Sequence, residues 1–175
     1  MVLTLLFLLI AIVLGVVAAA ASKPATFRVE RSTTINAPPE KIFPLINDFH
    51  HFGRWSPWEH LDPQMQRSIT GPENGVGAVY AWSGNAKAGA GRMEILESAP
   101  SSRLVLKLDF LKPFKAHNTA EYTLKPEGDT TRVTWAMYGP SPFVSKVMQV
   151  FVSMDSMLGR DFEKGLTQMK AAAEA

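Results

Sequence analysis

Apolar and polar positions divide the chain into three parts. Residues 2–21 contain one polar side chain, Thr4. Between residues 27 and 138, apolar and polar residues alternate in short segments that are separated by Gly, Pro and Asn. After residue 141, apolar residues recur at every third or fourth position. This pattern predicts an apolar helix, a set of strands and an amphipathic helix, in that order.

The apolar run is long enough to cross a membrane, because a helix of this length spans about 30 Å. A cleaved secretory signal is the alternative, since Ala18–Ala21 resembles a cleavage site. The apolar part of such signals is usually only about 7–15 residues long and follows basic residues, and no Lys or Arg precedes this run. The pattern therefore favours an uncleaved single-pass anchor over residues 1–22, with a short linker over residues 23–26.

The segment after the linker predicts one strand and two short helices. Phe27–Ile35 alternates as a strand with one exposed face does. Asn36–Glu40 contains two prolines and an acidic residue, which suit the first turn of a helix. Apolar residues between positions 42 and 46 give that helix a buried face, and Phe49–Arg54 predicts a second short helical piece.

Six further segments have the period of two that is typical of strands. Turn residues separate them, for example Pro72–Gly75 and Pro126–Asp129, so that an antiparallel meander is expected. The predicted strands are Gln66–Thr70, Ala78–Ser83, Ala90–Glu97, Leu104–Phe110, Ala116–Lys125 and Thr131–Tyr138.

The C-terminal part predicts a single long helix with Ser141 as its cap and Pro142 at its first position. One apolar stripe runs along it. The stripe consists of Val144, Val147, Phe151, Met154, Leu158, Phe162, Leu166 and Met169. The fold class is therefore α+β, with a curved seven-stranded antiparallel sheet wrapped around a long C-terminal helix.

Several segments are similar to the SRPBCC superfamily, in which the birch-pollen allergen and the steroidogenic lipid-transfer domains share a helix-grip fold. They are Val29–Phe43, Trp55–Trp58 (WSPW), Gly75–Gly84 and Asp161–Leu166. The chain most resembles the bacterial polyketide cyclase/dehydrase and lipid-transport branch. The resemblance implies one domain over residues 27–173, with an apolar cavity for small hydrophobic molecules or lipids. Since members range from carriers to cyclases, it implies no single reaction.

Charge and composition exclude several classes of function. The net charge is only +2 and the basic residues form no run, which argues against nucleic acid as a partner. The chain has no cysteine, so disulfides and thiol nucleophiles are excluded. We therefore predict no catalytic residue and no cofactor, and the oligomeric state stays open.

Metal binding is also not predicted. The histidines are His50, His51, His60 and His117, and no two of them have the spacing of a helical ligand pair. Glu59 and Asp62 lie near His60, so a cluster is conceivable there, but polar loop residues are the simpler interpretation.

The candidate binding residues lie on the elements that should surround the space between sheet and helix. Aromatic side chains with a few polar groups are typical of small-molecule pockets, although ordinary core packing explains the aromatic residues equally simply. Asn118 either orients an oxygen of the ligand or satisfies a backbone group, and Asp155 either borders the cavity or faces solvent. The full set is Trp55, Trp58, Tyr80, Trp82, Leu106, Leu108, Asn118, Tyr122, Trp135, Met137, Phe151, Met154 and Asp155.

The sequence thus predicts a membrane-tethered domain that binds a hydrophobic small molecule or lipid. A cyclase/dehydratase-type enzyme and an interaction or stress-response module without ligand are the alternatives. Two apolar connections, Phe110–Phe114 and Pro140–Phe143, mark a cavity mouth, a partner surface or a lipid contact, unless they pack onto the end of the sheet.

The side of the membrane is the first testable point. Lys23, Arg28 and Arg31 follow the apolar run, and the positive-inside rule then places the domain in the cytoplasm. A green fluorescent protein fused to the C-terminus should be fluorescent, and an alkaline phosphatase at the same position should be inactive. An active phosphatase, or a chain shortened by the apolar run on a denaturing gel, would contradict the prediction.

Overall fold

A seven-stranded antiparallel sheet is the centre of the computed structural model, which describes residues 2–175. The strands are β1 (Thr26–Ile35), β2 (Gln66–Thr70), β3 (Val79–Ser83), β4 (Ala90–Ala99), β5 (Arg103–Lys112), β6 (Ala116–Glu127) and β7 (Thr130–Pro140). Their order is β1-β7-β6-β5-β4-β3-β2, so that β2 to β7 form a meander and β1 pairs with β7. The predicted α+β fold with seven strands is confirmed.

The helices are α1 (Val2–Ala21), α2 (Pro39–Asn47), a 3₁₀-helix (Phe49–Arg54), α3 (Phe143–Phe151) and α4 (Met154–Glu174). The two short helices after β1 are therefore confirmed. Within residues 2–175, α1 is the one helix that is long and apolar enough to cross a membrane. A signal sequence near the N-terminus can meet the same criteria of length and hydropathy, so the structure does not distinguish an anchor from a signal.

Helix α4 packs on the face of the sheet that carries the core side chains. The ring of Phe162 stacks on that of Trp135 in β7, with 4.1 Å between the ring centroids and 3° between the planes. Leu166 and Met169 are buried on the same side of α4. At the edge of the sheet, Arg31 of β1 donates a hydrogen bond of 2.8 Å from Nε to Glu163 of the helix. Helix α4 is therefore packed against the apolar face of the sheet, as expected for a helix-grip fold.

The C-terminal helix is not continuous, and in this respect the prediction was wrong. Val152 has extended backbone angles (φ −139°, ψ 123°) and ends α3. The Ser153 side chain then caps α4, because its Oγ accepts a hydrogen bond of 3.1 Å from the backbone nitrogen of Ser156. Asp155 lies in the first turn of α4, where a negative charge is favourable. The apolar periodicity continues on both sides of this break, so this pattern does not indicate that the helix is interrupted.

The start of α3 also differs from the prediction. Pro142 occupies the N-cap position without a side-chain cap, and Ser141 is buried and accepts a hydrogen bond from Gln149 Nε2. Helix α3 packs against α1, and none of its residues is buried; Val144 and Phe151 are largely exposed. The buried apolar stripe consequently belongs to α4 alone.

A substitution at Gly165 tests how closely α4 packs against the sheet. A Cβ at this position would lie 2.8 Å from a ring carbon of Trp135 and 3.1 Å from Cδ of Pro57. We expect Gly165→Ala to lower the free energy of unfolding by about 1–3 kcal/mol through overpacking. This loss should exceed the gain of roughly 1 kcal/mol in helix propensity. Urea unfolding followed by tryptophan fluorescence measures the difference.

Gly53→Ala is the matched control, since no atom lies within 4 Å of its added Cβ. It should leave the stability unchanged or raise it slightly. If Gly165→Ala is as stable as the native chain, the close contact between α4 and Trp135 is not a constraint on the fold.

Candidate ligand cavity

A cavity of about 210 Å³ lies between the sheet, α4 and the segment that follows the 3₁₀-helix. Its wall is mainly aromatic and aliphatic, with few polar groups. The lining residues are Phe52, Trp55, Ser56, Trp58, Glu59, Leu61, Met65, Tyr80, Trp82, Lys87, Ala88, Met93, Leu106, Leu108, Phe110, Ala120, Tyr122, Trp135, Met137 and Leu158. An apolar cavity of about 150 Å³ holds benzene. This cavity is therefore large enough for a molecule somewhat larger than one aromatic ring.

Most of the predicted binding residues lie together around this space. They come together because alternate residues of a strand face the same side of the sheet, and the strands β3 and β5 to β7 each contribute such positions. These residues are Trp55, Trp58, Tyr80, Trp82, Leu106, Leu108, Tyr122, Trp135 and Met137. Their contact with a ligand stays a prediction.

Four predicted residues, Asn118, Phe151, Met154 and Asp155, do not line the cavity. Asn118 turns towards β7, where its Oδ1 occupies the space that a Cβ on Gly139 would need. Met154, the first residue of α4, packs against the core outside the cavity.

Phe151 and Asp155 lie away from the cavity because of the break between α3 and α4. Phe151 is exposed on α3. Asp155 accepts hydrogen bonds of 2.7 and 2.8 Å from the two terminal nitrogens of Arg31. These bonds lower the pKa of Asp155, so it remains charged at the surface. The interpretation of Asp155 as a solvent-facing helix residue is the one that fits.

Glu59 is the main polar group in the cavity wall. The Tyr80 hydroxyl donates a hydrogen bond to Oε1 of Glu59, and Arg67 Nε donates one of 2.8 Å to Oε2. The carboxylate is buried, and the guanidinium of Arg67 balances its charge. The sequence indicated Glu59 only as a conceivable metal ligand. It lies in an irregular segment, where no periodicity indicates which side chains point inwards.

Burial and the hydrogen bond to Glu59 raise the pKa of Tyr80 well above the usual value for tyrosine. The bond to Glu59 also raises the pKa of Arg67, which therefore stays charged. Asp62 has a structural role, because its carboxylate accepts hydrogen bonds from the backbone nitrogens of Gln64 (2.9 Å) and Asn85 (2.7 Å). Within residues 2–175, no group of three or more metal-ligating side chains could hold a metal ion.

Two polar groups of the aromatic wall have no partner among the described residues. Trp135 Nε1 is buried without a hydrogen bond. The Tyr122 hydroxyl also makes none, and burial alone raises the pKa of this tyrosine well above its usual value. By contrast, the indole nitrogens of Trp55 and Trp82 donate to backbone oxygens at 2.7 and 3.0 Å. Buried polar groups are rarely left unpaired, so a bound molecule or water is the expected partner of these two.

The chain belongs to the family described as "Polyketide cyclase / dehydrase and lipid transport", whose pattern matches residues 26–174. The family and the fold are those of hydrophobic ligand-binding and polyketide cyclase-like proteins. None of the curated proteins matches the chain.

Solved structures share the fold at low sequence identity. Protein CV1439 from Chromobacterium violaceum is 18% identical, with a TM-score of 0.58 over 87% of this chain and 99% of its own. The Aha1 dimer from Colwellia psychrerythraea is 14% identical, with a TM-score of 0.60 over 85% and 96%. Ara h 8.0201 is 13% identical, with a TM-score of 0.55 over 85% and 95%. Together with the family match, these similarities confirm the resemblance to the SRPBCC superfamily.

The raised pKa values of Tyr80 and Tyr122 predict a late ionisation. Tyrosine ionises near pH 10 when it is exposed. Because burial keeps both hydroxyls neutral in the folded state, the unfolded state releases their protons first as the pH rises. The free energy of unfolding is therefore unaffected by these two groups below about pH 10 and falls as the pH rises further. In a titration of the absorbance at 295 nm, Tyr80→Phe and Tyr122→Phe should each match the native chain up to about pH 10.

The same titration in guanidinium chloride is the control, since all three tyrosines of the chain are then exposed. There, each variant should show a smaller absorbance change than the native chain. A smaller change in a folded variant near pH 10 would mean that the missing tyrosine is exposed to solvent.

Proposed function

We infer that this protein is a membrane-tethered domain that binds a small apolar molecule carrying one oxygen-bearing polar group. The observation that supports this proposal is the apolar cavity between the sheet and α4, whose wall includes the Tyr122 hydroxyl and Trp135 Nε1, the latter unpaired among residues 2–175. Transfer of an apolar ligand from water into the cavity would be favourable in free energy, and the oxygen of the ligand would accept a hydrogen bond from the Tyr122 hydroxyl.

The size of the cavity narrows the class of ligand. Pockets for drug-sized molecules usually measure about 300–1,000 Å³. A volume of about 210 Å³ suits a single substituted ring or a short acyl segment. A whole phospholipid would require the wall to open, so a small hydrophobic molecule is the better candidate of the two classes that the sequence predicted.

The proposed attachment to the membrane depends on helix α1. Its side chains are exposed except near its C-terminal end, where Val16 and Ala19 are half-buried and Ala20 is buried. Twenty residues of this kind would be insoluble in water and match the thickness of a bilayer. The linker to β1 is short, so the domain would stay close to the membrane surface.

A cyclase/dehydratase-type activity is the second candidate, because Glu59 is a buried carboxylate beside the ligand space. Both oxygens of this carboxylate already accept a hydrogen bond, one from Tyr80 and one from Arg67, and these bonds fix its position in the wall. This arrangement favours a role in binding and orientation. The third candidate, a module without ligand, would be expected to have a filled core.

Ala120 offers a direct test, because it lines the cavity and its side chain is small. The measurement uses residues 23–175. Solved structures that share the fold over 95–99% of their own length, and over 85–87% of this chain, support the use of this fragment without α1. Isothermal titration with p-cresol and toluene compares two probes of the same shape. We expect p-cresol to bind more tightly, and Ala120→Leu to weaken it at least tenfold, by about 1.4 kcal/mol.

Ala81→Leu is the matched control, since Ala81 lies between Tyr80 and Trp82 on the opposite face of β3. It should bind both probes as the native chain does. Tyr122→Phe should reduce the preference for p-cresol over toluene. Equal binding by native chain and Ala120→Leu would refute the proposed site, and no preference for p-cresol would refute the polar contact.

A further inference from the structure

Four segments that follow or precede strand ends meet at one end of the sheet, next to residues 55–65, which lead into β2. The register brings them together: Thr26 pairs with Pro140, Phe110 with Ala116, and Gly91 with both Trp82 and Phe110. We call this end, formed by residues 22–27, 84–91, 111–118 and 139–153, the anchor end, because α1 enters the domain there.

The anchor end exposes large apolar side chains. Phe114 in the β5–β6 hairpin is 72% exposed, and Val144 and Phe151 of α3 are 71% and 72% exposed. Leu111, Phe143 and Met148 are exposed beside them. Helix α3 packs against α1, whose covered residues lie in its last two turns. These apolar side chains thus lie where the apolar helix leaves the domain.

The four segments of the anchor end contain no Asp or Glu, whereas their lysines are Lys23, Lys87, Lys112, Lys115 and Lys146. Two acidic residues beside these segments are buried and paired. Asp62 accepts a hydrogen bond of 2.7 Å from the backbone nitrogen of Asn85, and Oδ1 of Asp109 lies 2.7 Å from Nδ1 of His117. The exposed charge of the four segments is therefore positive.

The connections at the opposite end include Glu73 and Asp129, so the acidic residues are not depleted there. Lysines around exposed apolar residues are the pattern of a surface that lies on anionic lipids.

We propose that the anchor end docks on a bilayer containing anionic lipid, with α3 lying in the interface and Phe114 inserted beside it. This inference rests on the tether of the proposed function and adds a second membrane contact to it. Lys87, Ala88 and Phe110 line the cavity and belong to or adjoin the same end. The docked domain therefore opens its cavity towards the bilayer, and its apolar ligand enters from the lipid.

The chain lacks cysteine, so single cysteines can report on each surface. The full chain, in nanodiscs of phosphatidylcholine with 30% phosphatidylglycerol, is labelled with bimane at Leu9→Cys, Phe114→Cys, Phe151→Cys or Asp129→Cys. Doxyl-labelled phosphatidylcholine is the quencher. We expect strong quenching at positions 9, 114 and 151, and none at 129 in the β6–β7 turn. Discs of phosphatidylcholine alone should reduce the quenching at 114 and 151, but not at 9.

The outcomes separate this proposal from the proposed function. Quenching at position 9 without quenching at 114 and 151 would overturn the docking while the tether stands. No quenching at position 9 would overturn the tether itself. A second copy of the chain on this surface would instead give disulfide cross-links between Phe114→Cys chains and no quenching, which also overturns the docking. Ligand binding is measured separately with the cavity variants.

Discussion

The contact between α4 and the sheet is the constraint on which the rest of the structure depends. Trp135 lies at its centre, stacked on Phe162 at 4.1 Å and on Tyr122 at 5.2 Å between ring centroids. Gly165 lets the helix approach, because a side chain there would meet the Trp135 ring. This contact holds α4 near β1 and β7. The segment after the 3₁₀-helix then covers β3 to β5, and the cavity lies between this segment, the strands and α4.

The polar groups of this wall divide into paired and unpaired ones. Glu59 is paired with Arg67 and Tyr80, so the charge buried beside the apolar cavity is compensated and both carboxylate oxygens are hydrogen-bonded. Trp135 Nε1 and the Tyr122 hydroxyl make no such bond in the part of the chain that the structure describes. The paired set stabilises the wall, while an unpaired group costs stability until a ligand supplies its partner. Adjacent side chains of the wall therefore have different roles: the paired groups stabilise the fold, and the unpaired ones are available to a ligand.

Much of the fold was predictable because strands alternate and turns have characteristic residues. The strands ended within a few residues of their predicted bounds, and β4 to β7 were longer than predicted because their pairing continues into the residues next to the turns or, for β7, along β1. Phe151 and Asp155 were assigned to the cavity because the apolar periodicity continues through Val152, where the helix breaks. Ser153, followed by an acidic residue in the next turn, was the signal for that break. Glu59 had no comparable signal, since its segment has neither helical nor strand periodicity.

The sequence by itself determined the apolar helix, the strand order of a meander and the aromatic character of the inner face, because these depend on local pattern and short turns. Only the tertiary structure decided which inward side chains border an empty space. That outcome depends on how far Gly165 lets α4 approach Trp135, and on whether Arg67 reaches Glu59. The first is a distance between residues remote in sequence, and the second joins two residues across a segment without helical or strand periodicity. A pattern of apolar positions carries no information about either distance.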